Sequence, residues 1–162
     1  MSDNGFFKVG YSSVWDSKRD KFMQQSSPSR SWQNAVPRLG FVGLGNMGAA
    51  LAMRLVGQPL SVFDADPEKS AVFGADDVTV AASLQELAAD SDIIFTCLPT
   101  SAVTEKLLFG PAGLSVHLTA DHIIVDMTSG DPAQSRDQAA RLAASGICFA
   151  DAPVSGGPRG AR

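Results

Sequence analysis

Residues 39–48 read LGFVGLGNMG, an apolar run that passes directly into the pattern G-x-G-x-x-G. Between a strand and a helix, each glycine of this pattern has its own physical reason. Gly43 allows a tight turn, Gly45 lets a phosphate approach the backbone, and Gly48 lets the helix pack closely on the sheet. The unpaired N–H groups at the helix start then attract the anion. The stretch therefore predicts a dinucleotide-binding turn, and the alternative is a glycine-rich turn that only packs tightly.

Outward from this turn, short apolar runs alternate with segments of helical period. This alternation is typical of βαβ units. It predicts an α/β fold, a Rossmann-type doubly wound parallel sheet with its ligand crevice at the carboxyl ends of the strands. The predicted strands are Leu39–Gly43, Leu60–Asp64, Val78–Ala81, Asp92–Leu98, His122–Met127 and Ile147–Ala150. The predicted helices are Asn46–Val56, Pro67–Phe73, Ser83–Ala89, Ser101–Phe109 and Pro132–Ser145.

Asp64 ends the second predicted strand, 21 residues after Gly43. This is close to the spacing of about 20 residues expected for a carboxylate that accepts hydrogen bonds from the adenosine ribose. Its charge would repel a 2′-phosphate by several kcal/mol at about 4 Å. NAD is therefore the predicted cofactor and NADP the alternative, with Lys69 near enough to offset part of the repulsion. On this basis, Asp64→Ala is expected to weaken NAD binding and to spare or improve NADP binding. The other interpretation is a solvated loop acid beside Asp66 and Glu68.

The composition is that of a globular chain with one compact domain, with 162 residues, 44% of them hydrophobic and 19% charged. The net charge of −4 is uneven: residues 1–37 carry five basic and three acidic side chains, and residues 38–162 carry eight and fourteen. An acidic domain argues against nucleic-acid partners, which need a cationic surface. Five glycines interrupt the most apolar window, residues 39–57, so no membrane span is predicted there.

Residues 1–37 have no sustained apolar period and are predicted to form a disordered extension, followed by the dinucleotide-binding domain over residues 38–162. The predicted location is the cytoplasm. A targeting segment for the mitochondrial matrix is the alternative for residues 1–37, although Asp3, Asp16 and Asp20 are atypical of one.

The cysteines and histidines predict no metal site. Cys97 and Cys148 lack CxxC spacing and are predicted to be buried free thiols of a reducing compartment. His117 and His122 flank a predicted turn and have no partner at a recognisable catalytic or ligand spacing, so they are interpreted as loop histidines.

Four stretches together resemble a known family: LGFVGLGNMG at 39–48, TCLPTS at 96–101, DMTSGDP at 126–132 and DAPVSGG at 151–157. The family is that of the 3-hydroxyisobutyrate dehydrogenase-like β-hydroxyacid dehydrogenases. In the order given, the four stretches are similar to its glycine loop, its Leu-Pro segment beside the nicotinamide, its Asp-x-Ser-Thr-x-x-Pro motif and its substrate loop. The cofactor domain of that family is shared with 6-phosphogluconate dehydrogenase. The four motifs occur in the family's order and span nearly all of residues 38–162.

The resemblance implies a role for each matched residue. The diphosphate would be lined by Gly43, Leu44, Gly45, Asn46, Met47 and Gly48. Leu98 and Pro99 would contact the nicotinamide side, and Ser129, where the family has Thr, would contact cofactor or substrate. The carboxylate or hydroxyl of a small hydroxyacid would be held by Ser155, Gly156 and Gly157. Val103 departs from the family, since some members have at that position an Asn that helps to hold the cofactor.

The resemblance also implies a reaction, the transfer of hydride between a small 3-hydroxy acid and the nicotinamide. The family's general acid/base is a lysine from the helical segment that follows the DAPVSGG loop. Residues 38–162 contain only Lys69 and Lys106, both in predicted helices away from that loop. The expectation is thus an NAD(P)-binding oxidoreductase domain that is truncated, lacks the family's all-helical C-terminal domain and is inactive alone. Dimerisation without that domain is left open, and the alternative is a non-catalytic dinucleotide-binding or sensing module.

Overall fold

The computed structural model describes residues 30–32, 35–74 and 77–160. Its strands are β1 Leu39–Val42, β2 Leu60–Phe63, β3 Val78–Val80, β4 Ile93–Thr96, β5 Ile123–Asp126 and β6 Cys148–Asp151. They form one parallel sheet in the order β3-β2-β1-β4-β5-β6. The strand order reverses between β1 and β4, so the crevice lies at the carboxyl ends of these two strands. The predicted doubly wound parallel sheet is confirmed.

Helices connect the strands. They are α1 Asn46–Ala52, α2 Pro67–Ala71, α3 Leu84–Ala89, α4 Ser101–Phe109, α5 Pro132–Ala143 and α6 Gly157–Gly160. Four of them begin at a side chain that accepts an N–H of the first turn, and these caps are Asp66, Ser83, Thr100 and Asp131. Such residues satisfy backbone donors that have no partner inside the helix. The starts of α2 to α5 are therefore specified locally.

The boundaries differ from the predicted ones by a few residues. The helix predicted over Asn46–Val56 ends as an α-helix at Ala52 and continues as a 3-10 turn over Met53–Leu55. Gly57, with a φ of 95°, then turns the chain into β2. β6 begins one residue later than predicted, at Cys148, which pairs with Ile123 of β5. A second 3-10 turn, Leu114–His117, and the short helix α6 are elements that the sequence pattern did not predict.

Apolar side chains fill both faces of the sheet. One cluster is centred on Phe41, Val62 and Phe73, and the other contains Ile94 and Ile124. All five of these side chains are buried. Burial on both faces is why the central strands are nearly continuous apolar runs.

The edge strand β6 is the exception, and it corrects one prediction. Cys148 and Ala150 are exposed there, so the prediction that Cys148 is buried is wrong. The physical reason is that β6 pairs with β5 on one side only and has one face that no described element covers. Cys97, directly after the central strand β4, is half-buried as a free thiol.

Ser31 and Trp32 precede the predicted domain boundary at residue 38 and contact the loop before β5. The indole N–H of Trp32 donates to the Asp121 carbonyl at 3.0 Å, and the Ser31 hydroxyl donates to the Asp121 carboxylate at 3.3 Å. Residues 1–29 lie outside the described residues, so the predicted disorder of residues 1–37 stays a prediction.

Trp32 is expected to report this contact by its fluorescence. In a Trp15→Phe variant, the half-buried indole of Trp32 is expected to emit at a shorter wavelength in the native protein than in urea, because burial removes water from around the ring. Steady-state emission spectra measure the difference, and Trp32→Phe is the matched variant that isolates Trp15. Identical native and urea spectra for Trp15→Phe would contradict the contact.

Candidate functional site

The glycine loop between β1 and α1 is closed on two sides and open on one. Gly43 has a φ of 93°, and a Cβ there would lie 2.5 Å from the Cys97 carbonyl oxygen. A Cβ on Gly48 would overlap the Gly43 carbonyl oxygen. At Gly45, no described atom beyond the chain neighbours lies within 4 Å of an added Cβ. The geometry thus agrees with the three expected tasks: a tight turn, an open approach and close helix packing.

The first turn of α1 differs from the starts of α2 to α5. Its N-cap is Gly45, which has no side chain to accept the free N–H groups that follow. Gly45 and Asn46 are exposed and Met47 is half-buried. The unpaired donors of this turn therefore border the open side of the loop, where an anion would accept them.

Leu44 has a different position from its neighbours in the loop. Its side chain is 3% exposed and packs in the cluster that contains Phe41 and Val62. Its N–H donates to the carboxylate of Asp64. The side chain of Leu44 is therefore part of the core and its N–H is already bonded, so Leu44 can contribute to a diphosphate site only through the path of its backbone.

Asp64 lies at the end of β2 and braces the glycine loop. Its Oδ2 accepts the Leu44 N–H at 2.6 Å, and its Oδ1 accepts the Asp66 N–H at 2.9 Å. The Lys69 ammonium is 3.7 Å from Oδ1, and the Asp64 side chain is 11% exposed. Through the hydrogen bond from Leu44, the Asp64 carboxylate also holds the glycine loop, a role that its spacing from Gly43 in the sequence did not predict. Removing the carboxylate would therefore disturb the glycine loop itself. Asp64→Ala is for this reason expected to weaken NADP binding as well as NAD binding.

Leu98 and Pro99 follow β4 and lie beside the glycine loop. The Leu98 Cδ2 atom is 2.8 Å from the position of a Cβ on Gly43. Leu98 is half-buried and Pro99 is exposed. Burial raises the pKa of the preceding Cys97 thiol, and the nearby Asp126 carboxylate raises it further. The thiol is therefore protonated at neutral pH, and the segment offers an apolar wall to the crevice and no nucleophile.

The loops after β5 and β6 meet at the same edge of the sheet. The Ser129 hydroxyl donates to the Val154 carbonyl at 3.1 Å, which ties the DMTSGDP segment to the DAPVSGG segment. Ser155 and Gly156 are exposed, and Gly157 begins α6, which lies against α1. The structure thus brings all four sequence segments to the carboxyl edge of the sheet.

Sequence reasoning missed a set of buried polar side chains beneath these loops. Thr96, Thr104, Asp126 and Thr128 are each 0–3% exposed. Asp126 Oδ1 accepts the Thr96 hydroxyl at 2.8 Å and the Thr128 N–H at 3.0 Å. The available signal was the position of Thr96, Asp126 and Thr128 at or just after the ends of otherwise apolar strands, whereas Thr104 lies inside α4 and gave no such signal.

A cavity of about 430 Å³ lies at the opposite, amino edge of the sheet. Several of its polar groups are engaged within the protein, whereas the buried Ser91 hydroxyl has no hydrogen-bond partner among the described residues. Arg38 pairs with Asp92 at 2.9 Å; burial opposes ionisation of Asp92, but its hydrogen bonds to Arg38 hold the pKa of the carboxyl below its usual value. The His122 ring contacts Thr119 and the Ala88 carbonyl. The cavity is therefore separate from the glycine loop and its crevice.

Among the residues that the structure describes, there is neither a cluster of metal-binding side chains nor a helix that could span a membrane. In this part of the chain, no three His, Cys, Asp or Glu side chains are grouped so that they could hold a metal ion. No described helix is both long enough and apolar enough to cross a bilayer.

A family model described as the NAD binding domain of 6-phosphogluconate dehydrogenase matches residues 38–162. The chain belongs to this family. The match covers all four segments at the carboxyl edge, and it confirms the resemblance drawn from their sequence. The matched residues include all six strands of the Rossmann-type sheet described above.

Curated relatives in the family are hydroxyacid dehydrogenases. The 2-(hydroxymethyl)glutarate dehydrogenase of Eubacterium barkeri is 39% identical over 126 residues, which cover 76% of this chain and 42% of that protein. The mitochondrial 3-hydroxyisobutyrate dehydrogenase of Mus musculus is 36% identical over 136 residues, which cover 83% of this chain and 40% of that protein. The chain is thus similar to the NAD-binding part of these dehydrogenases, and it spans about 40% of their length.

Solved structures of the family have the same fold. Mycobacterium tuberculosis 3-hydroxyisobutyrate dehydrogenase with L-serine superposes with a TM-score of 0.70 at 31% identity, covering 77% of this chain and 43% of that one. An imine reductase from Myxococcus stipitatus in complex with NADP+ has a TM-score of 0.70 at 26% identity, covering 76% and 43%. The family description and the imine reductase complex thus both name a nicotinamide dinucleotide as the cofactor.

Proposed function

We propose that this chain binds NAD across the carboxyl edge of the sheet. The diphosphate would lie over Gly45 and Asn46, the adenosine ribose beside Asp64, and the nicotinamide half near Leu98, Pro99 and Ser129. One observation carries the proposal: the space at Gly45 is open and is bordered by N–H groups that no side chain caps. A glycine-rich turn that only packs tightly would have no reason to leave this space open.

The preference for NAD over NADP is part of the proposal and depends on Asp64. The carboxylate lies at the end of β2, where a 2′-phosphate would come close to its charge. Lys69 is 3.7 Å from that carboxylate and is itself exposed, so it offsets only part of the repulsion. NADP is accordingly the weaker cofactor.

The proposed reaction of the family-length protein is hydride transfer between the nicotinamide and a small 3-hydroxy acid. The exposed Ser155 and Gly156, with Gly157, would hold the substrate's polar groups. Lys69 lies beside Asp64 at the adenosine end, and Lys106 lies in the last turn of α4. Neither is placed at the substrate loop, so these 162 residues alone are expected to bind cofactor without turnover. That placement of the lysines also favours a second candidate, a non-catalytic dinucleotide-binding module.

The cytoplasm is the proposed location. Three acidic side chains among the first 20 residues support it against a mitochondrial targeting segment. The mitochondrial relative of Mus musculus makes the matrix the alternative to test, by imaging a fusion of residues 1–37 to a fluorescent protein.

Calorimetric titration of the full chain tests the cofactor proposal. NAD is expected to bind with a measurable heat and to raise the melting temperature, since a ligand that binds only the folded state stabilises it. NADP is expected to bind more weakly under the same conditions. Absence of both heat and thermal shift with either dinucleotide would overturn the proposal, and tighter binding of NADP would overturn the preference.

A further inference from the structure

Thr128 occupies a position between the two strands that border the nicotinamide half of the crevice. It is 3% exposed, and its Oγ1 accepts the N–H of Leu98 at 3.0 Å. The ladder between β4 and β5 has ended at this level, so a side-chain oxygen takes the place of a strand carbonyl. Pro99 follows and has no N–H. The Leu98 amide is therefore the last backbone donor that can anchor the segment before Thr100.

The hydroxyl of Thr128 is itself held in place from two directions. Its own backbone N–H donates to Asp126 Oδ1 at 3.0 Å, and the Thr104 hydroxyl donates to its Oγ1 at 3.3 Å. Asp126 and Thr104 are 3% and 0% exposed, so solvent does not compete for these bonds. A hydroxyl fixed in this way can set the position of whatever it binds.

What Thr128 binds is the segment whose side chain packs on the glycine loop. Leu98 Cδ2 lies 2.8 Å from where a Cβ on Gly43 would be, so a small shift of Leu98 changes the width of the crevice beside the loop. The adenosine end is bordered by Asp64, which Thr128 does not contact in the described structure. The effect of Thr128 on cofactor binding is therefore expected to be largest at the nicotinamide half and smaller at the diphosphate beside Gly43.

We propose that Thr128 is a positioning residue that holds Leu98 and Pro99 against the nicotinamide ring through its hydrogen bond to the Leu98 amide. The proposal rests on the proposed binding of NAD. The proposed role of Thr128 differs from that of Leu98, Pro99 and Ser129, which are proposed to contact the cofactor. Thr128 acts through Leu98 and does not itself need to touch the cofactor.

The test compares NAD with ADP-ribose, which lacks the nicotinamide ring, by calorimetry on the full chain. Thr128→Val keeps the shape of the side chain and removes the acceptor of the Leu98 N–H. It is expected to weaken NAD about tenfold, the loss typical of one hydrogen bond whose buried donor is left unpaired. ADP-ribose, which keeps the diphosphate but has no nicotinamide ring, is expected to lose clearly less affinity than NAD. Thr128→Ser restores the hydroxyl and is expected to restore NAD affinity. Thr79→Val, at an exposed position of β3, is the matched control and is expected to change neither affinity.

Equal weakening of NAD and ADP-ribose by Thr128→Val would mean a general structural role and would overturn the proposal, as would unchanged affinity for both. If Thr128→Val does not fold, Thr104→Val is the second variant, because it removes the hydrogen bond that the Thr104 hydroxyl donates to Thr128 Oγ1. Its expected result is a loss of NAD affinity smaller than tenfold and a still smaller loss for ADP-ribose, and any other pattern contradicts the proposal. Failure of the unaltered chain to bind either ligand would overturn the proposed function instead, and this inference with it.

Discussion

Gly45→Val is expected to fold as the unaltered chain does and to lose most of its affinity for NAD. The backbone at Gly45 has φ −63° and ψ −177°, a conformation open to any residue, and an added Cβ meets nothing beyond its chain neighbours. The valine side chain would instead fill the space proposed for the diphosphate. Overpacking of this kind costs about 1–3 kcal/mol, which corresponds to roughly 5- to 150-fold in the dissociation constant.

Gly48→Ala is the contrasting variant, because it is expected to fail in folding first. A Cβ there overlaps the Gly43 carbonyl oxygen, which belongs to rigid backbone, so α1 has to move away from the sheet. Thermal melts without cofactor are expected to show a lower melting temperature for Gly48→Ala. Gly45→Val is expected to melt within a few degrees of the unaltered chain, which corresponds to a change of under about 1 kcal/mol in the free energy of unfolding. Calorimetry then measures NAD binding.

Gly74→Val is the matched control for the substitution at residue 45. Gly74 follows α2, and an added Cβ there lies 3.4 Å from the Ala71 carbonyl, an ordinary contact. This variant is expected to bind NAD like the unaltered chain. Normal NAD affinity in Gly45→Val would contradict the placement of the diphosphate, and a melting temperature as low as that of Gly48→Ala would contradict the open space.

Asp64→Ala is expected to weaken NAD and NADP alike, whereas Asp64→Asn is expected to move the preference toward NADP. Alanine removes the acceptor of the Leu44 N–H, and an unpaired buried donor costs about 1–3 kcal/mol. That cost falls on the glycine loop, which both cofactors use. Asparagine keeps one oxygen acceptor for the loop and removes the charge that repels a 2′-phosphate. The ratio of NADP to NAD affinity is therefore expected to rise about tenfold, equivalent to 1.4 kcal/mol.

Calorimetric dissociation constants for both cofactors measure these changes. Lys69→Ala is the companion variant: it removes the positive charge 3.7 Å from Asp64 and is expected to weaken NADP more than NAD. A selective loss of NAD with unchanged NADP in Asp64→Ala would show that the bond to Leu44 is dispensable for the loop. An unchanged ratio in Asp64→Asn would remove Asp64 from the proposed choice of cofactor.

The two residues of these predictions differ in how far the sequence could define them. Gly45 was identified together with its reason, because a G-x-G-x-x-G turn after an apolar strand is a local pattern with a local physical requirement. Asp64 was identified by spacing alone. Its hydrogen bond to Leu44 spans 20 residues and depends on the pairing of β1 with β2, which spacing does not specify.

The sequence by itself determined the strand and helix order, the parallel sheet, the glycine turn and the family, since each is written in short-range periodicity, caps and backbone requirements. The tertiary structure alone decided which face of β6 is open, and so the exposure of Cys148. It also decided that Thr128 anchors Leu98, 30 residues earlier in the chain. Contacts of this kind form only when pairing of the strands brings their separate ends to one edge of the sheet, and the spacing of residues along the chain does not specify which side chains meet there.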